Sequence, residues 1–391
     1  MAYNNFIQKY NKEWSKKWFE LMKKMNNNDK YKNVKKLSEK NFYQIISKNP
    51  NITYEIIQDN IDKPWDYKAL SCNENITFEI IKSNLDKPWD HYLISSNKNI
   101  TWEIVCNNPN ILWDYKQLST NINITIDIIK NFPDLNWSKK LFSLNKNITI
   151  NTIKNNPDFD WYYPFLSYNK NITFDLYKSL KHKNWVFNSL CLYMKISYEN
   201  IINNPNLNWN FQILSYNHSI TFDIIKKLPS KDWNYFYISK NKNIKVEEMY
   251  NHFMSLKVDN DFSNNPNINF KFINSKPFYN WNFLSIIKSD IDCYELIKNK
   301  KFFIDMENQL GVRQFNENCT VGFSANKNIS ISFLKQELNS PFNIGKNGYY
   351  DLKILLLNPM SKDKENFIKS KIFNKATKFN DLIKDKVIEF I

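Results

Sequence analysis

Eight carboxylates, Glu55, Glu79, Glu103, Asp127, Asp175, Glu199, Asp223 and Glu247, share one phase of a 24-residue period. Acids held in register are what general acid–base chemistry needs if two of them meet across a bond. The neighbouring residues point elsewhere. All but the last follow a Thr or Ser by two positions, which places them in the first turn of a capped helix, where the helix dipole favours negative charge. Lys82, Lys130, Lys178 and Lys226 stand three residues after Glu79, Asp127, Asp175 and Asp223, a spacing that supports a helix face. Five cysteines (Cys72, Cys106, Cys191, Cys293, Cys319) and four histidines (His91, His182, His218, His252) are scattered without paired or metal-ligand spacing. The chain carries no phosphate-cradling glycine loop, no nucleophile elbow and no His-Glu metal helix. The expectation is a non-enzymatic protein with no catalytic residue, metal or cofactor.

The elements that position these residues are repeats. The phrase Asn51-Ile52-Thr53-Tyr54-Glu55-Ile56-Ile57 returns every 24 residues from Asn75, Asn99, Asn123, Asn147, Asn171, Lys195, Ser219, Asn243 and Asn267. A fixed period of this length marks an array in which each unit leans on its neighbours. Within a unit, Ile52 and Ile57 flank the cap Thr53 as a hydrophobic staple. A second half-unit starts at Trp65, with Asp66 as N-cap. The tryptophan recurs as Trp89, Trp113, Trp137, Trp161, Trp185, Trp209, Trp233 and, after a gap, Trp281, and is expected to pack between units. Pro109, Pro133, Pro157, Pro205, Pro229 and Pro277 close the first helix. Asn recurs at 49, 73, 97, 121, 145, 169, 217, 241 and 265, where it is expected to replace glycine in left-handed loops. A leucine-rich-repeat strand would need an apolar residue where Lys68, Lys116, Lys140 and Gln212 stand, so helices are expected instead.

The spacing predicts an all-α fold, an α-solenoid of about twelve two-helix units with helical caps at both ends. The expected parts are an N-terminal cap over 1–40, the regular array over 41–297, an insertion over 298–327, a degenerate repeat over 328–342 and a C-terminal cap over 343–391. Residues 1–26 form an amphipathic stripe of Ile7, Tyr10, Trp14, Trp18, Leu21 and Met25, suited to capping or to a membrane surface. The net charge of +15 concentrates at the ends, +8 over residues 1–50 and +4 over 343–391, leaving the array near balance. Arg313 is the only arginine, so bidentate recognition of phosphate or guanine is weakly supported. The lysine column Lys82, Lys130, Lys154, Lys178 and Lys226, with Arg313 in the insertion, is the expected partner-contact surface. No apolar run is long enough to span a membrane and no signal peptide is evident, so an intracellular protein is expected.

The unit from Trp89-Asp90 through Asn97-x-Asn99-Ile100-Thr101-x-Glu103-Ile104 to Asn108-Pro109 resembles repeat proteins encoded by giant DNA viruses of protists. The resemblance covers residues 41 to 342 and implies a viral or infection-related intracellular protein, in host cytoplasm, viral factory or virion; it carries over no site residues. The expected function is a protein–protein interaction scaffold. The alternatives are a nucleic-acid-associated protein using its basic termini, and a virion component.

Overall fold

A computed structural model describes residues 2–27, 36–256, 262–276, 279–299, 302, 305–306, 310, 322–326, 328–339 and 352–371. The fold is all-α: among the described residues there is no β-strand, and one isolated parallel bridge pairs Thr173 with Lys195. The chain forms two compact units, one of residues 1–75 with 283–391 and one of Ile76–Asn282.

Each repeat contributes two short helices, for example Trp102–Asn107 and Tyr115–Leu118, then Ile126–Asn131 and Lys139–Phe142. Helices this short do not persist alone in water. Apolar packing supplies part of what holds them. The staple pairs Ile100 and Val105, Ile124 and Ile129, and Ile148 and Ile153 are all buried. The hydroxyls of Thr101 and Thr125 accept the N–H three residues on. Thr53 and Thr77 make no such bond. Asp66, Asp90 and Asp114 cap the second helices as their sequence position suggests.

Polar side chains supply the rest, by satisfying backbone groups that such short helices leave open. The buried Asn145 accepts the Asn147 N–H at 3.1 Å and donates from Nδ2 to the carbonyls of Ser119, Asn121 and Ile124 in the preceding repeat, at 3.1, 2.8 and 3.5 Å. Asn121 makes the same set to Ser95, Asn97 and Ile100. Two residues on, Asn147 donates to Ile122 and Ile124. Serine provides a further link: Ser119 Oγ donates to Tyr115 and accepts the Ser138 N–H of the next repeat at 3.0 Å. This corrects the expected role of the asparagines. Among the described non-glycine residues only Met360 has positive φ, so the asparagines bolt consecutive repeats together instead of relieving left-handed turns.

In the unit of residues 1–75 and 283–391 the ladder runs through both ends of the chain. Asn326 donates to Ile287 and Ile291, Asn358 to Ser324 and Asn326, Asn49 to Leu356 and Asn358, and Asn73 to Asn49. The helix Leu352–Leu357 is therefore a further repeat helix, and the first repeat stacks on it. The helix Ala2–Asn27 packs against it as well, and Trp14 donates to Asp363 at 3.2 Å. Trp14, Trp18, Leu21 and Met25 are buried, so the apolar stripe that a membrane surface would need is already used. Within 298–327, Gly322 lies against Ile287, whose Cγ2 would sit 2.6 Å from an added Cβ.

Two outcomes follow. Asn145→Leu strands three carbonyls and an N–H, and should destabilise the fold by about 2–4 kcal/mol, read as a lowered urea midpoint, whereas Lys146→Leu should shift it little. Removing Asn123 to Lys146 lets Asn147 take the place of Asn123 and should leave a folded product by circular dichroism. Removing half that length should not, because every amide then misses its carbonyl.

Candidate functional site

The repeated residues are largely consumed by the fold. Every tryptophan of the series donates its indole N–H to the carbonyl five residues earlier, at 2.7 to 3.0 Å. Trp65, Trp113, Trp161, Trp233 and Trp281 are buried, and Trp89, Trp137, Trp185 and Trp209 half-buried. Trp137 lies against Trp102 and Tyr115 of the preceding repeat, with centroids 5.6 and 5.3 Å away. The acids sit at helix starts. Glu79 is held below its ordinary pKa by its own backbone N–H and then by the Thr77 hydroxyl, and Glu199 likewise by backbone and Ser197. Asp223 pairs with Lys227 at 2.9 Å, one residue beyond the lysine the spacing suggested.

The expected lysine column does line up. Lys82, Lys130, Lys154, Lys178 and Lys226 are all exposed in the last turn of a first helix. Its continuity is broken, since Cys106 and Ile202 occupy the same phase. Lys130 bonds Asn156, and Lys226 lies over the Phe222 ring. Arg313 lies outside the described residues.

A second face escaped the sequence reading. The second half-units Ser138–Ile148, Tyr162–Ile172, Val186–Ile196, Asn210–Ile220 and Asn234–Ile244 contain no Asp or Glu, but seven lysines and His218. In the three half-units before them the N-cap is Asp66, Asp90 or Asp114; here it is Ser138, Tyr162, Val186, Asn210 and Asn234. At the end of three of these second helices an exposed ring or apolar group stands two residues before an exposed lysine, Leu144 and Lys146, Tyr168 and Lys170, Tyr193 and Lys195; in the fourth Tyr216 precedes the exposed His218, and in the fifth both places are lysines, Lys240 and Lys242. The earlier repeats carry small polar side chains at the Tyr168 position, and Ser96 and Thr120 turn back to their own helix carbonyls. Tyr168 is 48% exposed and Tyr216 46% exposed, unusual for rings that the fold does not require. Among the described residues, Lys146, Lys170, Lys195 and Lys242 have no ion-pair partner.

The rings on this edge are ordered by contact. Tyr168 meets Tyr193 at 5.6 Å, Lys140 lies over Tyr162 at 4.8 Å and Phe165 at 5.2 Å, and Lys240 lies over Phe236 at 3.8 Å. Tyr216 stacks on Tyr237, and their hydrogen bond pushes the Tyr216 phenol up to about 12. The ladder itself yields here. Tyr193 and Lys195 stand where bolting asparagines stand elsewhere, the helix Phe187–Tyr193 is lengthened, and the Thr173–Lys195 bridge joins the repeats by backbone. Asn217 still donates to Cys191 and Met194. The signal was present in the sequence as an acid-free phase, but the charge of the whole array averaged it away.

Cys72 and Cys106 are exposed; Cys191 and Cys293 are buried. Burial pushes the Cys191 thiol up to about 11, against a smaller opposing effect of the Asn210 backbone N–H, and burial also raises Cys293. Cys191 takes the phase of the bridging serines. Among the described residues no three His, Cys, Asp or Glu side chains group to hold a metal, and no helix is long and apolar enough to cross a membrane.

No protein-family model, curated protein or solved structure matches the chain. What the structure defines is the class, an all-α protein whose helices follow a 24-residue sequence repeat.

A maleimide probe at pH 8 should label Cys72 and Cys106 in the native protein and reach Cys191 and Cys293 only after denaturation, as peptide mapping would show. Rapid native labelling of Cys191 would contradict its burial.

Proposed function

We propose that this chain is a non-enzymatic interaction scaffold that holds its partner along an extended helical face. One observation carries the reading: over five consecutive repeats the second half-units contain no acid, and the exposed rings Tyr168, Tyr193 and Tyr216 stand among seven lysines. Elsewhere the repeated asparagine, serine, threonine and tryptophan groups spend their hydrogen-bonding capacity on neighbouring backbone. Tyrosine suits such a face because it offers large contact area at low entropic cost.

A protein partner, as the sequence reading expects, would engage this edge through an extended acidic segment. An intracellular viral setting belongs to the same proposal and rests on the repeat phrase and its residue bias. A nucleic-acid partner is the second reading. Its support moves from the basic termini to this edge, because the exposed rings Tyr168 and Tyr193 stand beside Lys170 and Lys195 here.

Affinity capture from the native cell should enrich a partner with the full chain and lose it with Tyr168→Ala, Tyr193→Ala and Tyr216→Ala combined, at unchanged helicity. Capture that survives these changes and is lost on Lys82→Glu and Lys130→Glu would move the contact surface to the first-helix column.

A further inference from the structure

We propose that the second-helix edge from Leu144 to Lys242 is a sequence-tolerant binding track for single-stranded nucleic acid. The inference rests on the scaffold reading and names the polymer that this face fits.

Complementarity of charge is the first argument. Four of the five half-units present lysines and none of the five contains a carboxylate, while the acids of the same repeats, such as Asp175 and Glu199, sit in the first turns of first helices. A polyanion laid along the second helices therefore meets the attraction of these lysines, while the exposed Asp134, Asp158, Asp160 and Asp232 stand in the segments that lead into the helices.

The mix of rings and lysines is the second. The partner must offer negative charges and flat apolar groups along its length, because the face offers exposed rings, Tyr168, Tyr193 and Tyr216, beside the lysines Lys170 and Lys195, with Tyr193 and Lys195 one residue out of the phase of Tyr168 and Lys170. A single strand repeats one phosphate and one base per residue of its own chain. Exposed aromatic rings stack on any base, and lysines track the phosphates. A polypeptide has no comparable built-in repeat of charge and ring.

The third argument concerns what is missing. Duplex reading uses arginine forks on base edges, and the edge has none, since the only arginine is Arg313. Lysine acts as a point charge without sequence preference. Bases already paired in a duplex do not offer their faces to Tyr168 or Tyr216, so single strands are preferred.

The test uses the full-length protein and fluorescein-labelled 20-nucleotide oligo(dT) and oligo(rU), with a 20-base-pair duplex and poly-glutamate as competing polyanions. Single strands should bind, and their affinity should fall about 50-fold between 50 and 200 mM salt, the loss expected for about four phosphate contacts. Tyr168→Ala and Tyr216→Ala should each weaken binding about tenfold, in the range of one lost base stack. Lys146→Ala with Lys170→Ala should reduce the salt slope, while Lys82→Ala with Lys154→Ala should leave it unchanged. Circular dichroism and urea midpoints show that the variants remain folded. The duplex should bind at least tenfold more weakly. Equal binding of duplex and single strand, tyrosine variants without effect, or equal weight of the first-helix lysines would each overturn the inference. Tyrosine-dependent binding of poly-glutamate alone would overturn it too, yet leave the scaffold reading standing with an acidic protein as partner. Binding of none of these polymers overturns the nucleic-acid track, and the capture experiment then decides the scaffold separately.

Discussion

Everything in this fold depends on a side-chain amide reaching the carbonyls of the repeat before it. A helix of four to six residues, such as Tyr115–Leu118 or Trp102–Asn107, is nearly all terminus, so most of its carbonyls find no partner within the helix. Left buried and open, each would cost about 1–3 kcal/mol. Asn121 and Asn145 close up to three of them each, and Ser119 ties one second helix to the next. A repeat therefore cannot be satisfied without its predecessor. The strict spacing follows, because a slip of one residue moves an amide away from every acceptor at once.

This division of labour explains why chemistry is hard to find in the repeated residues and why the departures are informative. The acids of the first helices sit in the first turn, where the dipole and the neighbouring backbone N–H favour the charged form, as Glu79 and Glu199 demonstrate. From Ser138 to Asn234 the N-cap positions of the second helices are neutral: Ser138, Asn210 and Asn234 still accept a backbone N–H, whereas Tyr162 and Val186 make no side-chain cap. Where Tyr193 and Lys195 displace two bolting asparagines, a longer helix and a backbone bridge to Thr173 hold the stack. A structural position has been given over to exposed side chains.

Much of the architecture was legible residue by residue. Thr101 and Asp114 announced helix starts, Ile100 with Val105 announced a staple, and the lysines at 68, 116 and 140 excluded a strand; each signal is local, and helix nucleation and capping are local physics. The asparagines were legible as a ladder but not in their purpose, because their acceptors lie a full repeat away. The second-helix edge was illegible for a related reason: Leu144, Tyr168 and Tyr216 matter through exposure, and exposure is a property of the stack.

By itself, then, the sequence determined the period, the two-helix unit, the buried stripe and the positions of the caps, because these depend on neighbours within a turn or two. Only the tertiary structure decided that Asn358 continues the ladder into Asn49, that the stripe of the first helix is covered, and that Tyr168, Tyr193 and Tyr216 are exposed. Those facts depend on which distant backbone groups come within hydrogen-bond reach, and spacing along the chain does not carry that information once the period lapses, as it does between Ser289 and Asn326 and between Asn326 and Asn358.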